Sequence, residues 1–367
     1  MGELERKPVK KKGSPEISSA SKNGYRMLKA NRVVEAIDCF AGILKIDENN
    51  NYALVGMGDA ARKQGACNDA LGYYVRCLEH HPENSYALFG LADCYKTLNR
   101  YDKAIEVWER YLVHDSKNIT VLTRVANAYR KVRDFRNAKA IFMKVLDMEN
   151  DNHYAIIGMG HLHYDFKEYK EALSYWERML EICPDNVDIR VLTSIGNCHR
   201  KLKTFEDGAP YFERVLEREP NNFYAAFGLA DCYRGLSRQN HAVVYWNRIL
   251  AQDPRNRVIL TRAGDAYRTM GELEKAQDYY ERALNVEYDI YAVLGLALIS
   301  KVHKRYNDAA ISLQGLIQHD SRNYRISLEF ADCMLKMGNR RKAIEILEDF
   351  QRTGIRNPHI TEMFERI

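Results

Sequence analysis

Apolar and polar residues alternate with helical period along nearly the whole chain, in pairs of amphipathic segments separated by short polar turns. The turns fall around Gly65, Asn99, Gly271 and Gly338. The pattern also repeats itself. Tyr86-Ala-Leu-Phe-Gly-Leu-Ala-Asp-Cys-Tyr95 returns as Tyr224-Ala-Ala-Phe-Gly-Leu-Ala-Asp-Cys-Tyr233. Val121-Leu-Thr-Arg124 returns as Ile259-Leu-Thr-Arg262, with a weaker third copy at Val191-Leu-Thr-Ser194. The spacing between neighbouring anchors is close to 34 residues, which sets the units at 17–50, 51–84, 85–118, 119–152, 153–186, 189–222, 223–256, 257–289, 290–323 and 324–357. Residues 358–367 remain as a short capping helix, and residues 1–16 as a basic, disordered tail. One unit cannot bury its own apolar stripe, so the units are expected to stack and share a core.

Within a unit, numbered from its first residue, three positions carry a size code. Position 8 is small (Gly58, Ala92, Gly160, Ala230, Gly264), and position 20 is Ala in nearly every unit, with Gly208 in its place in the sixth. Position 24 is a large ring (Phe40, Tyr74, Trp108, Phe142, Trp176, Phe212, Trp246, Tyr280), and Pro82, Pro184, Pro220 and Pro254 stand at position 32. In length and in these positions the chain resembles the tetratricopeptide repeat family. That resemblance implies an all-α fold, an α-solenoid coiled as a right-handed superhelix of about ten helix–turn–helix units. It also implies a concave groove lined by positions 2, 5, 9 and 12 of the first helices, and a partner bound there.

Carried over by register, the candidate groove residues are Tyr86, Phe89, Asp93 and Lys96 in the third unit, and Thr123, Asn127 and Arg130 in the fourth. Tyr154 and His161 follow in the fifth, and Arg190, Asn197 and Arg200 in the sixth. Tyr224, Phe227, Asp231 and Arg234 belong to the seventh, Asp265 and Arg268 to the eighth. Aromatic rungs thus alternate with Thr-rich ones. Asp or Asn at position 9 is spaced i,i+3 from Arg or Lys at position 12, so the two ladders are expected to pair on one helix face. The tyrosines at position 2 either pack on the neighbouring unit or await a partner. The carboxylate clamp of the family's chaperone-binding members is incomplete: Thr123 and Thr193 stand where it needs Lys, beside Asn127 and Asn197.

Two places depart from the pattern. Val187-Asp188 is an insertion, and Pro210 falls inside a second helix, which is expected to start late or kink. In the ninth unit Ile290, Val293, Leu294, Leu296, Leu298, Ile299 and Val302 make a first helix apolar nearly all round. The terminal segment with Met363 and Phe364 is expected to cover it.

Composition narrows the function without naming it. Hydrophobic residues make up 46% of the chain and charged residues 29%, the balance of a folded protein. Arg6, Lys7, Lys10, Lys11 and Lys12 against Glu3 and Glu5 give the first twelve residues a net +3 of the chain's +5, so the body is nearly balanced. A nucleic-acid-binding body does not follow from charge. No apolar run reaches membrane-spanning length and no signal sequence is recognisable, so the expected compartment is the cytoplasm. The eight cysteines form no CxxC pair, and those at position 10 (Cys94, Cys198, Cys232, Cys333) are packing residues. His161, His163 and Asp165 supply too few converging ligands for a metal. No catalytic motif appears, so neither enzyme activity nor a cofactor is expected. The expectation is a scaffold or adaptor that binds an extended protein segment. The alternative is single-stranded RNA, stacked on the tyrosines and held by the Arg/Lys ladder.

Overall fold

The computed structural model describes residues 15–184 and 187–367. Of the expected basic tail, residues 1–14 lie outside the described residues, while Pro15 and Glu16 open the first helix. Every regular element among the described residues is an α-helix, and the chain divides into two compact units at Pro184.

The first unit holds five helical pairs. They are α1 (Pro15–Lys29) with α2 (Val33–Leu44), α3 (Asn51–Lys63) with α4 (Cys67–His80), and α5 (Ser85–Thr97) with α6 (Tyr101–His114). Then come α7 (Ile119–Lys131) with α8 (Phe135–Met148), and α9 (His153–Asp165) with α10 (Tyr169–Ile182). The second unit runs α11 (Ile189–Leu202) with α12 (Phe205–Arg218), α13 (Phe223–Gly235) with α14 (Gln239–Gln252), and α15 (Arg257–Thr269) with α16 (Leu273–Val286). It ends in α17 (Ile290–Val302) with α18 (Tyr306–His319), α19 (Tyr324–Lys336) with α20 (Arg340–Arg352), and the single helix α21 (Pro358–Arg366). In each unit every helix packs on its sequence neighbours, and first helices also meet first helices, as α3 meets α5 and α15 meets α17. Each unit is therefore an α-solenoid of stacked hairpins.

Local chemistry fixes both ends of the first helices. Their N-caps are Asn50, Asn84, Asn118, Asn152, Asn222, Asn256 and Asn323, and the side-chain oxygen accepts a backbone N–H two or three residues on, as from Ala87 to Asn84 at 2.9 Å. Such a cap is worth about 1 kcal/mol. Asp188, from the two-residue insertion, caps α11, and Asp289 caps α17. At the other end the chain reverses through one left-handed residue at position 15. Gly65, Gly271 and Gly338 occupy it in three pairs, but Asn31, Asn99, Arg133, Lys167, Lys203, Ser237 and Lys304 adopt it too. The turn conformation is thus kept even where a Cβ opposes it.

The rings at position 24 form the core: Phe40, Tyr74, Trp108, Phe142, Trp176, Phe212, Trp246 and Tyr280 are all buried. Tyr74 lies against Gly58 of its own pair and Gly90 of the next, and Phe212 against Gly196 and Gly228, so close that a Cβ at any of these glycines would overlap the ring. Position 6 is therefore as constrained as position 8 wherever the preceding ring is Phe or Tyr.

The sixth pair corrects one expectation. α12 does not start late: it runs unbroken from Phe205 to Arg218 with Pro210 in its second turn. Pro210 is exposed, so the bond it cannot donate leaves a carbonyl on the solvent side, where water serves as donor. The apolar helix α17 corrects another. Its neighbours α15, α16, α18 and α19 pack against it, and α21 sits on α19 and α20. Ile360 of α21 is buried there, with Met363 and Phe364 packed against the same core.

Candidate functional site

The first helices of each unit carry the residues singled out by register. Asn or Asp caps start the first helices from α3 onward at a fixed point, so position 2 falls in the first turn. Tyr52, Tyr86, Tyr154, Tyr224 and Tyr291 are between 55% and 80% exposed. They do not pack into the neighbouring pair.

Position 5 splits into two kinds. Phe89 and Phe227 are half-buried. Thr123 is buried, and its hydroxyl donates to carbonyls of its own helix, Ile119 at 2.9 Å and Thr120 at 3.0 Å. Thr193 and Thr261 bond Ile189 and Arg257 in the same way, at 2.7 and 3.1 Å. The Thr rungs therefore present methyl groups and spent hydroxyls.

Position 9 follows the ring beneath it. Where position 24 is Tyr, its hydroxyl donates to an Asp: Tyr74 to Asp59 at 2.7 Å and Tyr280 to Asp265 at 2.8 Å. Burial, and then the adjacent carboxylate, raises both phenols well above their ordinary value. Where the ring is Phe142 or Phe212, position 9 is Asn127 or Asn197 and no hydroxyl needs an acceptor. Asn127 turns its amide to the Thr123 carbonyl at 2.9 Å. His161 stands edge-on to Trp176, with ring centres 5.3 Å apart.

The charged ladders pair differently from the i,i+3 expectation. Three pairs do lie within one helix: Arg62–Asp59 and Arg234–Asp231, each at 3.1 Å, and Arg268–Asp265 at 3.7 Å. Others cross between pairs. Arg62 also reaches Asp93 at 3.2 Å, Arg200 reaches Asp231 at 2.8 Å, and Arg130 pairs with Asp165. Side-by-side first helices place position 12 of one beside position 9 or 13 of the next, a proximity that the sequence of a single helix cannot express. Lys96 is exposed, and Arg190 is exposed beside its partner Asp188.

Two further residues belong to this face. Arg124 and Arg262, at position 6, pair with Asp93 and Asp231 of the preceding first helix, the second at 2.6 Å. Their guanidinium groups lie over Phe89 and Phe227, at 4.8 and 5.0 Å from the ring centres. The recurrence of Leu-Thr-Arg was visible in the sequence, but position 6 lies outside the register that the family resemblance supplies.

Among the described residues no three His, Cys, Asp or Glu side chains converge as for a metal, and no helix is long and apolar enough to cross a membrane. His163, beside His161 in sequence, is buried with its Nδ1 2.6 Å from Glu168, so the two rings serve different partners.

Comparison with known proteins bears on the fold. Family models described as tetratricopeptide repeat match residues 55–119 and 196–257, 119–152 and 259–290, and 303–352. No curated protein matches the chain. Among solved structures, a tetratricopeptide repeat protein from Parabacteroides merdae ATCC 43184 is 16% identical with a TM-score of 0.54, covering 71% of this chain and 98% of its own. Pseudomonas aeruginosa pilF is 16% identical with a TM-score of 0.48, covering 57% and 95%. At such identity the Parabacteroides likeness is one of fold.

Proposed function

Because the chain belongs to the tetratricopeptide repeat family, we propose that it is a non-catalytic protein-interaction scaffold whose first-helix face holds an extended segment of a protein partner. The observation that carries this reading is the row of exposed tyrosines at position 2. A tyrosine combines a large apolar ring with a hydroxyl and loses little side-chain entropy on binding, which suits it to interfaces. Holding Tyr52, Tyr86 and Tyr154 on the first helices of one unit, and Tyr224 and Tyr291 on those of the other, exposed to water offsets nothing in the fold, since their rings leave the core untouched. Beside them the half-buried Phe89 and Phe227, clamped under guanidinium groups, offer ordered anchor points.

The test compares partner capture by the wild-type protein with capture by the variant Tyr86→Ala/Tyr154→Ala/Tyr224→Ala. Exposed substitutions of this kind change stability by about 0.5 kcal/mol or less each, so helicity by circular dichroism should be unchanged. Loss of captured partners from the folded variant supports the face; an undiminished set of partners overturns it. Filter binding to single-stranded oligouridylate addresses the nucleic-acid alternative. Arg62, Arg130, Arg268 and Lys301 each face a carboxylate, which weighs against a continuous phosphate track. Submicromolar, steeply salt-dependent RNA binding would replace the scaffold reading.

A further inference from the structure

The same arrangement of side chains occurs twice, four repeats apart, and the two versions differ in charge. In the first unit Asp93 meets Arg62 from the preceding pair and Arg124 from the following one. Arg62 also meets Asp59. Two guanidinium groups thus face two carboxylates. In the second unit Asp231 meets Arg200 at 2.8 Å and Arg262 at 2.6 Å in the corresponding places. The residue in the register of Asp59 is now Asn197, and the residue in the register of Lys96 is Arg234, which bonds Asp231 at 3.1 Å. Among the described residues, three arginines therefore share Asp231 alone.

This leaves two positive charges in excess at one point. The cluster is ordered: Phe227 lies under Arg200 at 5.4 Å and under Arg262 at 5.0 Å. The bonds to Asp231 use one N–H of each guanidinium, out of the five that each carries. The three side chains remain 20%, 46% and 32% exposed, within reach of a ligand. Like charges held together repel, and an incoming anion relieves that repulsion while accepting the unused N–H groups. Tyr224 stands one helical turn before Phe227 and is exposed, so an apolar contact adjoins the cationic one.

We infer that Arg200, Arg234 and Arg262 form a recognition site for an acidic side chain, Asp or Glu, of the peptide bound on this face, and that the version around Asp93, where Asp59 supplies a second carboxylate and the position of Arg234 is the exposed Lys96, is not selective for one. The inference rests on the peptide-binding reading above. A peptide fits better than a polyphosphate chain because the excess is local: along the same unit Asp265 offsets Arg268, and Lys301 is outnumbered by Glu329 and Asp332.

The paired versions supply the test. A fluorescent hexapeptide alternating Glu and Leu, its Gln–Leu counterpart and hexauridylate are titrated into the full chain, read by anisotropy at two salt concentrations. The Glu peptide is expected to bind at one site, at least tenfold tighter than the Gln peptide, and to weaken with salt. Asn197→Asp restores the second carboxylate that Asp59 supplies in the first unit and should lower that affinity at least tenfold. Asp59→Asn should add a second, weaker site; Asn at position 59 can still accept from the Tyr74 hydroxyl, so the fold is kept, as circular dichroism will verify. Equal binding of the Glu and Gln peptides, or Glu-peptide binding indifferent to both substitutions, overturns the charge assignment but leaves the peptide-binding face standing. No binding of the Glu peptide, or tighter binding of hexauridylate, overturns the assignment as well.

Discussion

The spacing of these repeats is set by single atoms. The rings of Phe40, Tyr74, Phe212 and Tyr280 each have glycine on both sides, at position 8 of their own pair and position 6 of the next, and a Cβ at either place would overlap them. Gly228→Ala puts a Cβ into the ring of Phe212. Overpacking of this kind costs about 1–3 kcal/mol, against about 1 kcal/mol gained from alanine's helix propensity. The substitution should therefore lower the urea midpoint, and Phe212→Leu, which removes the clashing atoms, should partly rescue it. Strictly additive effects in that cycle would show that the close approach imposes no constraint. Position 8 was legible in the sequence because its partner ring lies in the same unit. Position 6 was not, because its ring belongs to the preceding one. Buried thiols at this scale carry a pH dependence. Burial first of all raises Cys94 and Cys232 from 9.0 to about 12, and Cys77 to about 11. Unfolded thiols would ionise above about 9, so stability is full below that pH and falls as the solution is taken towards 12. At pH 8 Ellman's reagent should label the half-buried Cys39 and Cys183 in native protein and reach Cys94 and Cys232 only after unfolding. Rapid native labelling of Cys232 would contradict its burial.

At the scale of the helix, ends matter more than middles. The Asn before seven of the first helices was in plain view in the sequence, yet nothing in the hydrophobic pattern marks it, because a cap acts on backbone donors and leaves apolar periodicity unchanged. Pro210 shows the converse. A proline at that point suggested a helix that starts late or kinks, but core contacts of Gly208, Ala209 and Phe212 on one side and solvent on the other hold α12 continuous from Phe205. The lost hydrogen bond and ring clash remain as a cost of up to about 3 kcal/mol. Pro210→Ala should raise the urea midpoint by a matching amount; an unchanged or lower midpoint would mean the helix has already absorbed the proline. The ladder of Asp and Arg was likewise legible as composition but not as connectivity. Which arginine meets which aspartate is decided by neighbouring helices, and that is why Arg124 and Arg262 entered only with the structure.

Each compact unit, taken as a whole, is a stack whose stability is a sum of pair and nearest-neighbour terms. Such a stack need not lose all its pairs at once. The three tryptophans bear on this directly. Trp108, Trp176 and Trp246 are buried in the third, fifth and seventh pairs, and each indole N–H lies in the core without an acceptor among the described residues. The chain has no others, so the first two pairs and the last three contain no indole. Emission from the folded protein should be blue, and its shift to the red on denaturation reports the opening of the third, fifth and seventh pairs. Circular dichroism weighs every layer equally. A far-ultraviolet transition that begins at lower urea than the emission shift would therefore measure the opening of pairs that carry no tryptophan, and coincident curves would show that the pairs open together. The three indoles thus act as a built-in optical gauge of which pairs unfolding has reached.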